Sequence, residues 1–129
     1  MCNLSKEDIE LVKSYEYRSQ EGLYDDYVWT YNPVFNVYNM GNSIEWIFWL
    51  SGERRAFKEE FGYDLYEEIE KWWTRTPEKE PIIVIQQTDG EYSTWDGAHR
   101  VGISFLYSMQ FVPAFIGTHK SLLVHKEAW

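Results

Sequence analysis

Ile82-Ile83-Val84-Ile85, Asp89-Gly90-Glu91-Tyr92, Trp95-Asp96-Gly97-Ala98-His99-Arg100 and Phe111-Val112-Pro113-Ala114-Phe115-Ile116 follow one another in the second half of the chain. They read as strand, tight turn, strand, glycine turn, helix and strand. The first apolar run, opened by Pro81, has the composition of a buried strand. Asp89-Gly90 is a strong hairpin signal, and Glu91 to Trp95 is the returning strand. Gly97 permits a backbone angle closed to other residues, or a close approach to a ligand. Val101, Phe105 and Leu106 then share one helix face, with Gly102 and Ser104 small on the other. A helix start leaves backbone N–H groups free at the positive end of the dipole. With His99 and Arg100 beside it, this turn is a candidate phosphate or carboxylate site.

Upstream, Ser5 and Asp8 have capping-box spacing, and Ile9, Leu11 and Val12 predict a helix to about Arg18. Gln20 to Asp26 reads as a polar connection. Val28 to Tyr38 reads as one irregular strand broken at Asn32-Pro33, followed by a turn over Asn39 to Asn42. Asn42 and Glu45 repeat the cap spacing, and Ile44, Ile47, Phe48 and Leu50 follow at helical intervals. Gly52 is expected to end or bend that helix. Further helical segments run from Arg54 to Phe61 and from Leu65 to Trp73, parted at Gly62. Thr74 to Pro81 is a charged linker with two prolines. Beyond Ile116, Gly117 to His119 is expected to be a loop and Leu122 to Val124 a short apolar end.

The length, 129 residues, fits one domain with a core of its own. Residues 1–80 form a mostly helical acidic part that wraps an α/β core over 81–129, so the expected class is α+β. The 19% aromatic share includes seven Trp, which predicts exposed rings as well as core and hence a groove or an interface. Net charge is −9, and residues 1–80 carry −8 of it, from 17 acids and 9 bases. That argues against a generic duplex-DNA binder, which needs a basic face. The acids either form a solvated surface that keeps an aromatic-rich chain in solution, or face a basic partner, or mimic a nucleic acid. The single Cys2 has no internal partner, which fits a reducing, cytoplasmic compartment. No 18-residue apolar run and no basic-then-apolar leader occur, so neither a membrane span nor a signal peptide is expected.

Pro81, Gly90, Tyr92, Asp96, Gly97, His99, Arg100, Val112 and Pro113, in this order over residues 80–118, resemble the core of the ParB/sulfiredoxin-like superfamily. Its core is a strand hairpin, a Gly-x-His-Arg or Gly-x-Arg-Arg turn, a helix, and a strand opened by Val-Pro or Ile-Pro. The resemblance implies a small mixed sheet with packed helices and a nucleoside phosphate bound at the turn. Members include sulfinic acid reductases, chromosome-segregation proteins, serine kinases and proteins labelled nucleases. Sulfiredoxins place a catalytic cysteine just before the His-Arg pair. Ala98 stands there, so that reduction is not expected. Only Leu122 to Trp129 follow the core, so a segregation role with a DNA-binding domain is not expected either. Gly52-Glu53-Arg54-Arg55 spells a Gly-Glu-Arg-Arg box but lacks the upstream hairpin and the Val-Pro strand. It reads as a solvated first helical turn whose Arg54 or Arg55 reaches a ligand only if the first part folds over the pocket.

Two functions follow. In the first, ATP or another nucleoside triphosphate sits with Mg²⁺ on the Gly97–Arg100 turn and is hydrolysed or used for phosphoryl transfer, as in an ATPase or kinase. Arg100 forks onto a phosphate, His99 donates or shuttles a proton, and the Gly97, Ala98, His99 and Arg100 backbone completes the cradle. Asp96 either caps the helix or serves as Mg²⁺ ligand and base, and Thr118 and Lys120 approach the same mouth. A ParB-like nuclease is a variant. The opposing assignment keeps Arg100 paired with Asp96 or the acidic half, and His99 structural. In the second function the fold is a non-catalytic acidic interaction module or inhibitor, of phage or mobile-element type, for a basic protein. His119 and His125 lack metal-ligand partners at useful spacing, and neither a Gly-x-Ser-x-Gly elbow nor a Walker loop occurs.

Overall fold

The structure is a computed structural model that describes residues 2–15 and 23–127. Strand β1 (Cys2–Asn3) precedes helix α1 (Lys6–Ser14). A short 3₁₀ turn leads into β2 (Tyr27–Asn36), and a second one, Val37–Met40, into the long helix α2 (Ser43–Phe61). Helix α3 (Leu65–Ile69) runs into a wide π turn, Glu70–Thr74. Strands β3 (Ile82–Gln86) and β4 (Tyr92–Asp96), helix α4 (Ala98–Leu106), β5 (Phe111–His119) and α5 (Lys120–Glu127) complete the chain.

The class is α+β around one mixed sheet of order β1-β2-β5-β3-β4. The β3–β4 hairpin is antiparallel and closes through the expected Asp89-Gly90 turn, where Asp89 Oδ1 accepts the Glu91 N–H at 2.9 Å. Strand β5 lies parallel to β3, as a strand returning after a helix does. All four residues Ile82 to Ile85 are buried because β3 is covered on both faces. Ile82 and Val84 face the α2–α4 layer with Leu50, Ile69, Trp73 and Val101. Ile83 and Ile85 face a smaller core with Val12 of α1, Tyr27, Trp29 and Trp95.

The first 80 residues are not a helical wrap around a separate core. Strand β2 pairs with β5 from Tyr27↔His119 to Asn36↔Phe111, so the sheet is built from both halves. Its β-branched and aromatic residues cover the flank of β5 that β3 leaves open. The irregularity expected at Asn32-Pro33 is a register shift between Asn32 and Phe35. Gly52 does not end α2. The helix runs 19 residues to Gly62, which closes it in the left-handed conformation. The cost of one helical glycine, about 1 kcal/mol, is outweighed by the packing on either side of it. Gly117 to His119 is strand rather than loop, and Leu122 to Val124 falls inside α5.

Both caps form, Ser5 Oγ on the Asp8 N–H at 3.2 Å and Asn42 Oδ1 on the Ile44 N–H at 2.7 Å. Helix α1 stops at Ser14, and the stretch expected to carry it to Arg18 lies outside the described residues, as do residues 20–22 of the polar connection. Among the described residues no helix is long and apolar enough to cross a membrane.

Leu50 is the contact that fixes α2 on α4. It is fully buried against Gly102, where a Cβ would stand 3.1 Å from its own Cβ. Leu50→Ala is expected to cost about 2–5 kcal/mol, read as a lower urea midpoint with an unchanged m-value.

Candidate functional site

Gly97 is the hinge of the site. It joins β4 to α4 at φ +103°, and a Cβ there would stand 3.0 Å from Arg100 Nη2 and 3.1 Å from Ile82 Cγ2. Conformation and space both demand glycine. The turn therefore closes tightly over the guanidinium of Arg100, which is only 7% exposed.

That guanidinium is engaged on several sides. Nη1 donates to the Glu80 carbonyl at 3.2 Å and to the Pro81 carbonyl at 3.1 Å. Nη2 donates to Asp96 Oδ2 at 3.0 Å, and the Glu80 carboxylate lies at 3.9 Å. The group also sits 5.9 Å from the Trp72 ring centre. Arg100 thus ties the end of the charged linker, the end of β4 and the start of α4 together. A guanidinium has the fork of donors to do this; an ammonium does not.

His99 points the other way. Its Nε2 meets Glu53 Oε1 of α2 at 3.1 Å, and its ring stacks on Trp49 at 5.6 Å and 26°. Trp49, Glu53 and Phe57 recur every fourth residue of α2 and so share one helix face. That face, the α3 region and the Gly97–Arg100 turn enclose an open groove of about 600 Å³. Its walls carry Trp49, Phe57, Tyr63 and Trp72 as rings and Glu53, Glu68 and Asp96 as carboxylates. The basic side chains in the lining, His99 and Arg100, are hydrogen-bonded to Glu53 and Asp96.

Of the residues expected at the site, Asp96, Gly97, Ala98, His99 and Arg100 come together and line this groove. Gly97 supplies no side-chain cap, which leaves the first amides of α4 without a capping partner. Asp96 Oδ2 accepts the hydrogen bond from Arg100 Nη2. Among the described residues no group of three His, Cys, Asp or Glu side chains is placed to hold a metal ion.

Thr118 and Lys120 are elsewhere. Thr118 pairs with Gln86 and Asp96 with Ile83, positions about 10 Å apart along β3, and β5 and β4 flank β3 on opposite sides. Thr118 and Lys120 belong to the hairpin-tip end of the sheet because β5 runs parallel to β3 and extends to His119. His119 packs edge-on against Tyr27, and its Nδ1 accepts the Ser121 N–H at 3.1 Å at the start of α5. The side chain of His125 lies outside the described residues.

The Gly-Glu-Arg-Arg look-alike lies in the middle of α2, not in a first helical turn. The helix does lie over the pocket, but Glu53 rather than an arginine reaches the His-Arg turn. Arg54 forks onto Asp64 at 2.8 and 2.7 Å and covers the Tyr66 ring at 4.0 Å. This pair holds α3, and with it one wall of the groove, against α2. Asp64 lies below the usual carboxylate range, through the Arg54 hydrogen bonds and the Tyr66 N–H. The α2 and α3 walls were missed in the sequence. The four-residue spacing of Trp49, Glu53 and Phe57 is the signal that could have found the first of them.

In comparisons with known proteins, no family model, no curated protein and no solved structure matches the chain.

Arg100→Ala strands Asp96 and two carbonyls around a hole. It is expected to lower stability by about 2–4 kcal/mol in urea unfolding. His99→Ala, which breaks a half-exposed pair, is expected to cost less than about 1 kcal/mol in the same measurement. Because the folded pKa of Asp64 is depressed, its contribution is full above the unfolded carboxylate value, about 3.9, and is lost as pH falls through the lower folded value. Asp64→Asn should therefore be less stable than wild type at pH 7, with the two acid-unfolding curves converging towards pH 2.

Proposed function

We propose that this chain is a non-catalytic binding module of ParB/sulfiredoxin-like build, whose aromatic, carboxylate-lined groove receives a basic segment of a partner protein. The observation that carries this reading is the electrostatic state of the groove. Three carboxylates line it, while its Arg and His are already held by two of them. A chain of net charge −9 adds a long-range field of the same sign. A cationic ligand meets attraction from both, and the exposed rings of Trp49 and Trp72 offer it flat apolar contact. The hairpin, the Gly97 turn, α4 and the parallel β5 occur in the order the superfamily resemblance calls for, which supports the build.

The second reading is a nucleotide with Mg²⁺ at the same turn, and one observation favours it. The amides at the start of α4 have no side-chain cap and border the groove. For hydrolysis, phosphoryl transfer or nuclease action, Asp96 and Arg100 would first have to let go of each other. Arg100 would also have to leave the Glu80 and Pro81 carbonyls. His99 is the easier group to recruit, since only Glu53 holds its ring nitrogen.

Thermal shift separates the two, since a ligand that binds only the folded state raises the melting temperature. A deca-lysine peptide is expected to raise it, with an effect that fades as salt rises. A deca-glutamate peptide and ATP with Mg²⁺ are expected to leave it unchanged. A shift with ATP and Mg²⁺ that disappears in His99→Ala, together with no response to deca-lysine, overturns the first reading in favour of the second.

A further inference from the structure

One end of the groove has the parts of a recognition site for a particular cation. Helix α3 continues into the π turn Glu70–Thr74, which carries one buried and one half-exposed indole side by side in sequence. Trp73 is fully buried, with its Nε1 donating to the Glu80 carbonyl at 2.9 Å. Trp72 is 49% exposed and lines the groove. Glu68, on the last turn of α3, lines the same groove as Trp72 and gives that end of it a carboxylate. Its one ion pair among the described residues is an exposed contact with Lys71 at 3.8 Å, too long for a hydrogen bond.

The chain holds two arginines of its own in such surroundings. Arg54 lies over Tyr66 and forks onto Asp64. Arg100 lies beside Trp72 and bonds Asp96. In both, a planar cation meets a ring and a carboxylate. Trp72 and Glu68 place a ring and a carboxylate in the lining of one groove, both partly open to solvent.

We propose that Trp72 and Glu68 seat one arginine side chain of the partner, with its guanidinium stacked on the indole and hydrogen-bonded to the carboxylate. The proposal rests on the basic-partner reading above and names the chemistry that reading requires. Arginine is preferred to lysine for a physical reason. A guanidinium is flat, weakly hydrated and forked, so it stacks and bonds at once, whereas an ammonium keeps its water and acts as a point charge. Tyr63 and Phe57, packed edge-to-face at 5.4 Å, carry the apolar wall onward for the side-chain stem.

The test is a calorimetric titration of the full chain with two capped heptapeptides, Gly-Arg-Gly-Arg-Gly-Arg-Gly and its Lys counterpart. The Arg peptide is expected to bind about fivefold or more tightly than the Lys peptide. Glu68→Gln and Trp72→Leu are each expected to weaken the Arg peptide about fivefold and to erase its advantage. Glu59→Gln, an exposed acid of α2 outside this groove, is expected to change neither affinity. Trp72 also touches Arg100, so Trp72→Leu can lose stability. Glu68→Gln, a change at an exposed side chain, then carries the test alone. Equal binding of the two peptides, or an Arg preference that survives Glu68→Gln, overturns the arginine seat and leaves the basic-partner reading standing. No binding of either peptide overturns both.

Discussion

The guanidinium of Arg100 is the group on which the architecture of the site depends. It is buried, and it draws three segments of chain to one point: the Glu80-Pro81 end of the linker, Asp96 at the end of β4, and the first turn of α4. A buried charge is tolerated only when its donors are matched, and here carbonyls and a carboxylate match them. Gly97 is the consequence. A residue with a Cβ would press on that guanidinium and on Ile82. The His-Arg turn is therefore first a joint of the fold, and only its outward half, His99 and the leading amides of α4, faces the groove.

Helix α2 decides the character of that groove. Leu50 settles into the gap left by Gly102, and this contact brings Trp49 and Glu53 over the turn. The Arg54–Asp64 pair then sets α3 opposite, with Glu68, and Trp72 follows on the π turn. What would otherwise be a bare helix N-terminus, open to anions, becomes the floor of an aromatic groove with acidic sides. Local dipole and long-range charge pull in opposite directions there. The dipole acts within about one helical turn, whereas the carboxylates act across the whole groove.

Much of this was legible in the sequence, and for a clear reason. Hairpin, glycine turn, α4 and β5 are local: turn residues, caps and periodicity over a few positions determine them. Pro81, Asp89-Gly90 and Gly97 each mark a boundary that the chain uses. The misreadings arose where partners are distant. Nothing near Tyr27 to Asn36 says that it pairs with β5, some 80 residues on, so residues 1–80 read as a helical wrapping. Gly52 looked like a break because a helix-weakening residue was weighed without the packing of its neighbours. Thr118 and Lys120 come at the end of the last core strand in sequence, where the mouth of the same site is expected. The parallel pairing of β5 with β3 carries them to the far end of the sheet. Residue types at the turn marked residues that do line one groove, but the engagement of Arg100 with Asp96 is a matter of geometry.

The most direct test of this account is the state of that one guanidinium in solution. Nitrogen-15 NMR of the arginine side chains, assigned with Arg100→Lys, reports whether the Arg100 Nη protons are held or free. The account predicts slowly exchanging Nη protons with hindered rotation, unchanged when ATP and Mg²⁺ are added. Rapidly averaged Nη signals, or a large shift on adding ATP and Mg²⁺, would contradict it and make Arg100 a phosphate ligand rather than the joint that holds the turn.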